Sequence, residues 1–162
     1  MVVFMRVDDR VIHGQTMVRW FSEYPCDGLI IIDDQLAHNP VMANIYSDVV
    51  PSDIRVHVFD VNTAVVKMPQ ALESQKRYIV IFKSCLTLSK LLDLVQLPPS
   101  ELNVGPSSKR PNTIEIIPTI SLDSNEVQAY KKIAAKGFKV YFQIVPGMKK
   151  VWWQDAEKNH NL

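Results

Sequence analysis

Between Arg6 and Gln15 the chain reads Arg6-Val7-Asp8-Asp9-Arg10-Val11-Ile12-His13-Gly14-Gln15, placing two arginines, two aspartates and a histidine within a few residues of one glycine. These types suit one kind of chemistry. A neutral imidazole at His13 is a nitrogen nucleophile, and a helix starting near Gly14 or Gln15 would set unpaired backbone N–H groups and the positive end of a helix dipole beside it. Such surroundings favour an oxyanion and lower the proton affinity of the ring, which helps keep one nitrogen free to attack. Gly14 allows backbone to approach a bulky group. Arg6 and Arg10 can meet phosphate oxygens in bidentate fashion, and Asp8 or Asp9 could orient the ring or an arginine. Together they fit the acceptance of a phosphoryl group, where the protein supplies placement and charge more than covalent chemistry. By spacing alone they also fit a solvated turn.

The surrounding chain shows what must position these residues. Runs at 2–7, 29–33, 55–59, 78–82 and 138–145 predict strands, several almost wholly apolar, as in sheets buried on both faces. Helix signals lie between them. Asn39 and Pro40 open a helix in which Val41, Ile45 and Val49 recur at spacings of four. Leu88, Leu91, Leu92 and Val95 share a face that stops at Pro98-Pro99. Asp123 and Glu126 fit a capping box, Val127, Tyr130, Ile133 and Ala134 form a stripe, and Gly137 ends that helix. Residues 103–113, rich in Gly, Pro, Ser and base, predict a loop. Strands alternating with helices imply right-handed crossovers and a mainly parallel open sheet with helices on both faces, whose functional crevice lies beyond the carboxyl ends of the strands. The first loop, 8–14, would stand there.

At 162 residues the chain suits one domain, taken as 1–162, and can bury a core. Net charge is +1, from 18 basic and 17 acidic residues, which gives no electrostatic case for nucleic acid or an anionic membrane surface. No apolar run approaches the roughly 18 residues that cross a bilayer, and the opening MVVFMRVDD is not expected to be a signal peptide. Cys26 and Cys85 are read as reduced thiols. The four scattered histidines predict no metal site, and neither a P-loop nor a GxGxxG appears. No cofactor is expected.

The motif Arg6–Gln15 resembles the signature RIDDRLIHGQV of the IIB subunits of the mannose/fructose/sorbose family of the bacterial phosphoenolpyruvate-dependent sugar phosphotransferase system, with Thr16 where valine is common. RWFSEYPCDGLIIIDDQLAHNP resembles the family's next strand and acidic loop, LNVG at 102–105 its Asn-Val-Gly loop, and TISLDSNEVQAYKKIAAKGFKVYFQIVP its late helix and strand, so the resemblance covers nearly the whole chain. It implies a doubly wound α/β sheet with one antiparallel edge strand. It also implies a cytoplasmic transferase, associating peripherally with the membrane. Such a transferase takes a phosphoryl group from phosphorylated IIA onto the motif histidine, here His13, at Nδ1. It passes the group to a sugar held by the membrane subunits IIC and IID. Arg10 and Arg6 map onto residues expected to hold the phosphoryl oxygens; Asp9, Gly14 and Gln15 belong to the same loop. Where many relatives read NVGGM, this chain has Gly105-Pro106-Ser107-Ser108-Lys109-Arg110. Pro106 removes a donor, while Ser107, Ser108, Lys109 and Arg110 either supply phosphate donors or form a solvated turn. The alternatives to a carrier are a binding module that reads phosphorylation state and a hydrolase using His13. His38 is read as an exposed loop residue, His57 as packed in a strand, His160 as tail, Asp33 and Asp34 as structural, and Trp152 and Trp153 as core or edge cover.

Overall fold

The computed structural model describes residues 1–12 and 14–162, Gly14 by its backbone alone. In chain order the elements are β1 (Val2–Val7), α1 (Gly14–Glu23), β2 (Gly28–Ile32), α2 (Asp34–Ala37), α3 (Pro40–Val49), β3 (Arg55–Phe59), α4 (Val61–Glu73), β4 (Tyr78–Phe82), α5 (Cys85–Leu94), β5 (Glu101–Val104), β6 (Ile114–Ile117), β7 (Ile120–Leu122), α6 (Ser124–Ala135), β8 (Lys139–Phe142), β9 (Val151–Trp152) and α7 (Trp153–His160). Among the described residues seven strands form one sheet in the order β3-β2-β4-β1-β5-β8-β9, and β6 and β7 form a separate hairpin. All neighbours in the sheet are parallel except β9, which runs antiparallel on β8. The sheet is therefore mainly parallel with an antiparallel edge, as the resemblance implies.

The apolar strands are apolar because both faces of the sheet are covered. Phe4, Leu29, Ile31, Ile79 and Ile81 pack with Met17 and Trp20 of α1 and Tyr46 of α3. Their neighbours along the same strands, Met5, Ile30, Ile32, Val80 and Phe82, pack with α4, α5, α6 and α7 on the opposite side. The period of two thus deals each strand's side chains to two cores. Capping fixes where helices begin. Asp33 accepts from the Gln35 and Leu36 amides, Asn39 from Met42, Asp60 from Thr63 and Ser84 from Leu86. The capping box of α6 is closed in both directions at 2.9 Å. That helix ends before Gly137, whose φ of +93° lies in the left-handed region.

Several elements differ from expectation. Val41, Ile45 and Val49 are exposed, while Tyr46 and Val50 are buried and Met42 packs against them. Helix α3 carries two adjacent stripes at the same spacing of four, and the one with the aromatic ring faces the sheet. Helix α4 holds Pro69, an interior breaker that masks it in the sequence, and α7 has no side-chain cap. His160, expected in a tail, closes α7. Asn103 and Val104, expected in a loop, are paired in β5. β8 ends at Phe142, short of the expected 145, and beyond it the carbonyls of Gln143 and Ile144 accept from side chains, Arg6 with Asn103 and Arg6 with Trp20. Among the described residues no helix is long and apolar enough to cross a membrane.

Candidate functional site

The chain leaves β1 toward α1 on one face of the sheet, and leaves β4 toward α5 on the other. Adjacent strands whose connections part to opposite faces open a crevice at their carboxyl ends. The first loop enters this crevice as an extension of β1, with the Asp8 amide donating to the Phe82 carbonyl at 3.0 Å. It then turns sharply. The Val11 amide donates back to Asp8 O at 3.1 Å, and the Ile12 amide to Arg10 O at 2.7 Å. The second bond closes a γ-turn centred on Val11, whose φ is +59°. A β-branched residue seldom adopts that backbone, and such strain persists only where its surroundings hold it. Here the Val11 side chain is 1% exposed and packs among Met17, Trp20 and their neighbours. Burial of one valine thus anchors the turn that carries Arg10 outward. The described residues resume at Gly14, where α1 begins as expected, with Gln15 exposed in its first turn. His13 lies outside the described residues.

Arg6 departs from its expected part. It is fully buried. Its Nε donates to Asp8 Oδ2 at 2.9 Å, and Nη2 meets the same oxygen at 2.8 Å. Nη1 donates to Asn103 Oδ1 and, at 3.3 Å, to Gln143 O; Nη2 also donates to Ile144 O at 3.3 Å. Those partners account for all five N–H directions of a guanidinium. Its face lies 5.2 Å from the Trp20 ring. Arg6 therefore ties the ends of β1, β5 and β8 together and holds the Asp8 carboxylate, whose other oxygen accepts from the Arg10 amide at 3.0 Å. Burial lowers the Arg6 guanidinium's proton affinity, an effect that Asp8 opposes. Burial also pushes the Asp8 carboxyl above its ordinary range, and Arg6 offsets only part of this. Gly105 is required by this packing. A Cβ there would overlap the guanidinium, at 2.5 Å from Arg6 Cζ, and stand 2.8 Å from Asp8 Oδ2. Asn103, Trp20 and the two carbonyls were invisible as site residues, because a backbone acceptor leaves no mark in the residue type.

The loop after β5 is bound to the first loop and to the hairpin. Ser107 donates from Oγ to Ser121 O at 2.8 Å and from its amide to Thr119 O at 3.0 Å, and Oγ accepts from the Ser121 amide at 3.0 Å. Ser107 is thus a structural bridge rather than a free phosphate donor. Ser108 donates to Asp9 Oδ2 from its amide at 3.0 Å and from Oγ at 3.3 Å. Asp9 Oδ1 is buried and finds no donor among the described residues. Arg110 pairs with Glu126 at 2.5 Å and Asp123 at 3.6 Å, so its charge serves the start of α6. Two clefts flank the first loop. One, of about 480 Å³, is lined by Arg10, Thr16, Met17, Ser108, Lys109 and Ile144 among others. The second, of about 410 Å³, opens toward Asp9, Asp33, Lys83, Cys85 and Tyr130 on the opposite side.

The remaining singled-out residues are apart from these contacts or structural. Asp33 caps α2, and Asp34 accepts from the Val61 amide at 2.8 Å and pairs with Lys90 at 3.0 Å. His38 is exposed, its Nδ1 2.7 Å from Asp34 O. His57 is half-buried in β3, where burial lowers its proton affinity. Trp153 is buried in the core, and Trp152 lies half-buried on the edge strand. Among the described residues no three His, Cys, Asp or Glu side chains stand close enough to hold a metal ion. Cys85 is 2% exposed, and burial, with the nearby Glu126 charge, pushes its thiol up to about 12. At pH 8 about one part in 10⁴ is thiolate, and the thiolate is the reactive form. Cys85 should therefore resist a disulfide reagent in the folded protein and react at once in denaturant. Rapid native labelling of Cys85, located by peptide mapping, would contradict its burial.

Residues 2–161 match the family described as PTS system sorbose subfamily IIB component. Among curated proteins, the N-acetylgalactosamine-specific phosphotransferase enzyme IIB component 2 of Escherichia coli (strain K12) is 27% identical over 147 residues, covering 90% of this chain and 91% of that protein. The mannose-specific EIIAB component of the same strain is 26% identical over 135 residues; the match takes in 83% of this chain but only 42% of that longer protein's length. Among solved structures, manxB from Thermoanaerobacter tengcongensis superposes with a TM-score of 0.90 at 32% identity, covering 99% of this chain and 96% of that one. The family match runs almost from end to end and the mainly parallel sheet with its antiparallel edge is shared, so this chain belongs to the sorbose-subfamily IIB components of the phosphotransferase system.

Proposed function

We propose that this chain is a phosphoryl carrier. It takes the group from phosphorylated IIA onto His13 and passes it to a sugar presented by the IIC and IID membrane subunits, working in the cytoplasm and docking peripherally on them. The observation that carries this reading is the exposed Arg10. The buried turn at Val11 aims it at the same cleft that Thr16, just past position 13, helps to line. In the first step a ring nitrogen of His13 attacks phosphorus, a new N–P bond forms, and the N–P bond to the IIA imidazole breaks. In the second, a sugar hydroxyl attacks, the bond to His13 breaks, and the hydroxyl proton leaves to a base, the freed imidazole among the candidates. Neither step changes oxidation state, so positioned charge is the main requirement.

The test is incubation with phosphoenolpyruvate, the general phosphotransfer proteins and a cognate IIA. A carrier acquires stoichiometric, acid-labile label. Complex formation without label would identify a binding module, and steady phosphate release a hydrolase. Arg10 gives a sharper expectation. Its fork of donors can span two equatorial oxygens, where lysine offers one point charge. Loss of a preorganised donor to such oxygens costs on the order of 10² to 10³ in rate. Arg10→Lys should slow rapid-quench transfer by about that factor with little change in melting temperature, because its side chain is exposed. Wild-type rates would remove Arg10 from the site.

A further inference from the structure

We infer that Lys109 is the second cation of the phosphoryl cradle, facing Arg10 across the cleft; this rests on the carrier reading and names a further residue for it. Four polar side chains follow Gly105-Pro106, and the structure sorts them. Ser107 is spent on the β6–β7 hairpin, Ser108 on Asp9, and Arg110 on Glu126 and Asp123. Lys109 stands between the last two, exposed, and among the described residues it makes no ion pair or hydrogen bond. It lines the cleft that Arg10 lines. Its backbone is placed from both sides: the Ser108 amide is held by Asp9 of the first loop, and Arg110 by the N-terminus of α6. Lys109 is thereby fixed in position relative to the loop that bears Arg10, while its ammonium stays unengaged.

The rest of the cleft suits an anion with one open side. Asp8 is the carboxylate on its wall, and that charge is matched by Arg6 behind it. Met17, Pro106 and Ile144 are the apolar part of its lining. Lys83 carries the same charge at the same sheet edge but lines the other cleft, together with Asp33 and Asp34. Charge and position therefore single out Arg10 and Lys109 as the pair able to hold equatorial oxygens from two sides, leaving the axial directions to the arriving and departing groups.

Two measurements on the full chain test this. In the first, inorganic phosphate is titrated into the unphosphorylated protein and amide shifts are followed by NMR. Saturable shifts at both Arg10 and Lys109, with affinity weakened several-fold in Lys109→Gln and kept in Lys109→Arg, are expected. Absence of shifts at Lys109 overturns the proposal. In the second, transfer from phosphorylated IIA is measured at saturating IIA. A charge-assisted hydrogen bond contributes enough that Lys109→Gln should lower the maximal rate about tenfold or more, with Lys109→Arg restoring most of it and Lys83→Gln behaving as wild type. A loss in Lys109→Gln that disappears at saturating IIA would make Lys109 a docking contact and overturn its place in the cradle. If phosphate binds as stated while wild-type protein takes no label, the carrier reading fails and the anion site stands.

Discussion

His13→Ala should take up no phosphoryl label from phosphoenolpyruvate through the general proteins and IIA, whereas the parent chain should be labelled stoichiometrically. The expectation follows from bond chemistry. A phosphoryl group on imidazole is a phosphoramidate, labile in acid, whereas a phosphoserine survives acid. Ser107 and Ser108 stand in the loop that borders the cleft, so acid lability separates a histidine carrier from either hydroxyl. His38 is the exposed competitor at the carboxyl edge of the sheet. It follows the last residue of α2, hydrogen-bonds to the Asp34 carbonyl at that helix's start and lines neither flanking cleft, so His38→Ala should be labelled as wild type. Far-UV circular dichroism and a melting curve establish that His13→Ala is folded. Label retained in the alanine variant, or located by mass spectrometry on His38 or a serine, would overturn the assignment.

Arg6→Met should lower folding stability by about 3–5 kcal/mol, the usual consequence of removing one partner from a buried ion pair. The side chain is fully buried, and its loss leaves Asp8 Oδ2 and Asn103 Oδ1 without their donor and takes one of two donors from each of the carbonyls of Gln143 and Ile144, which keep Asn103 Nδ2 and Trp20 Nε1. For a chain of this size that corresponds to a melting point lower by roughly 6–20 °C. Arg6→Lys should recover little, since one ammonium cannot serve acceptors on three strand ends. The deficit should also depend on pH. Burial already raises the Asp8 carboxyl, and Arg6 is the main influence holding it down. Without Arg6 the folded pKa of Asp8 rises further. A carboxyl whose folded pKa exceeds its unfolded value destabilises the fold above that pKa, and ceases to do so once it is protonated. The gap between Arg6→Met and wild type should therefore be widest at neutral pH and narrow as pH falls into the carboxylate range. Denaturant titrations across pH provide the measurement. A difference below about 1 kcal/mol at pH 7 would show that Arg6 is not the tie between the strands.

The two arginines of the motif illustrate how far the primary structure could be followed. They are four residues apart, at the end of β1 and in the loop after it, and both carry the donors a phosphate needs. The difference between them is tertiary. Arg6 is the last inward-facing position but one on β1, on the same side as Phe4, so its side chain enters the space under α1 beside Trp20. Arg10 follows the turn at Val11 and emerges. Likewise, nothing in Ser107-Ser108-Lys109-Arg110 ranks one residue above another. Ranking requires Asp9, Ser121 and Glu126, which are remote in the chain and meet these residues only in the fold.

Local order was legible in the residues themselves: the apolar runs of β1, β2 and β4, the Asp123–Glu126 box, the Asn39-Pro40 helix start and the placement of the Arg6–Gln15 motif at a strand end. Each depends on neighbours within about one turn or one strand, where periodicity and capping act. The inward face of α3, the pairing of Asn103 in β5 and the burial of Arg6 were decided by tertiary structure, because each depends on which distant surface is available to cover a side chain or accept its hydrogens. A stripe at spacing four names a helix but not the side that faces the sheet, and a guanidinium is the same group in the sequence whether its five N–H bonds will meet protein carbonyls or a phosphate.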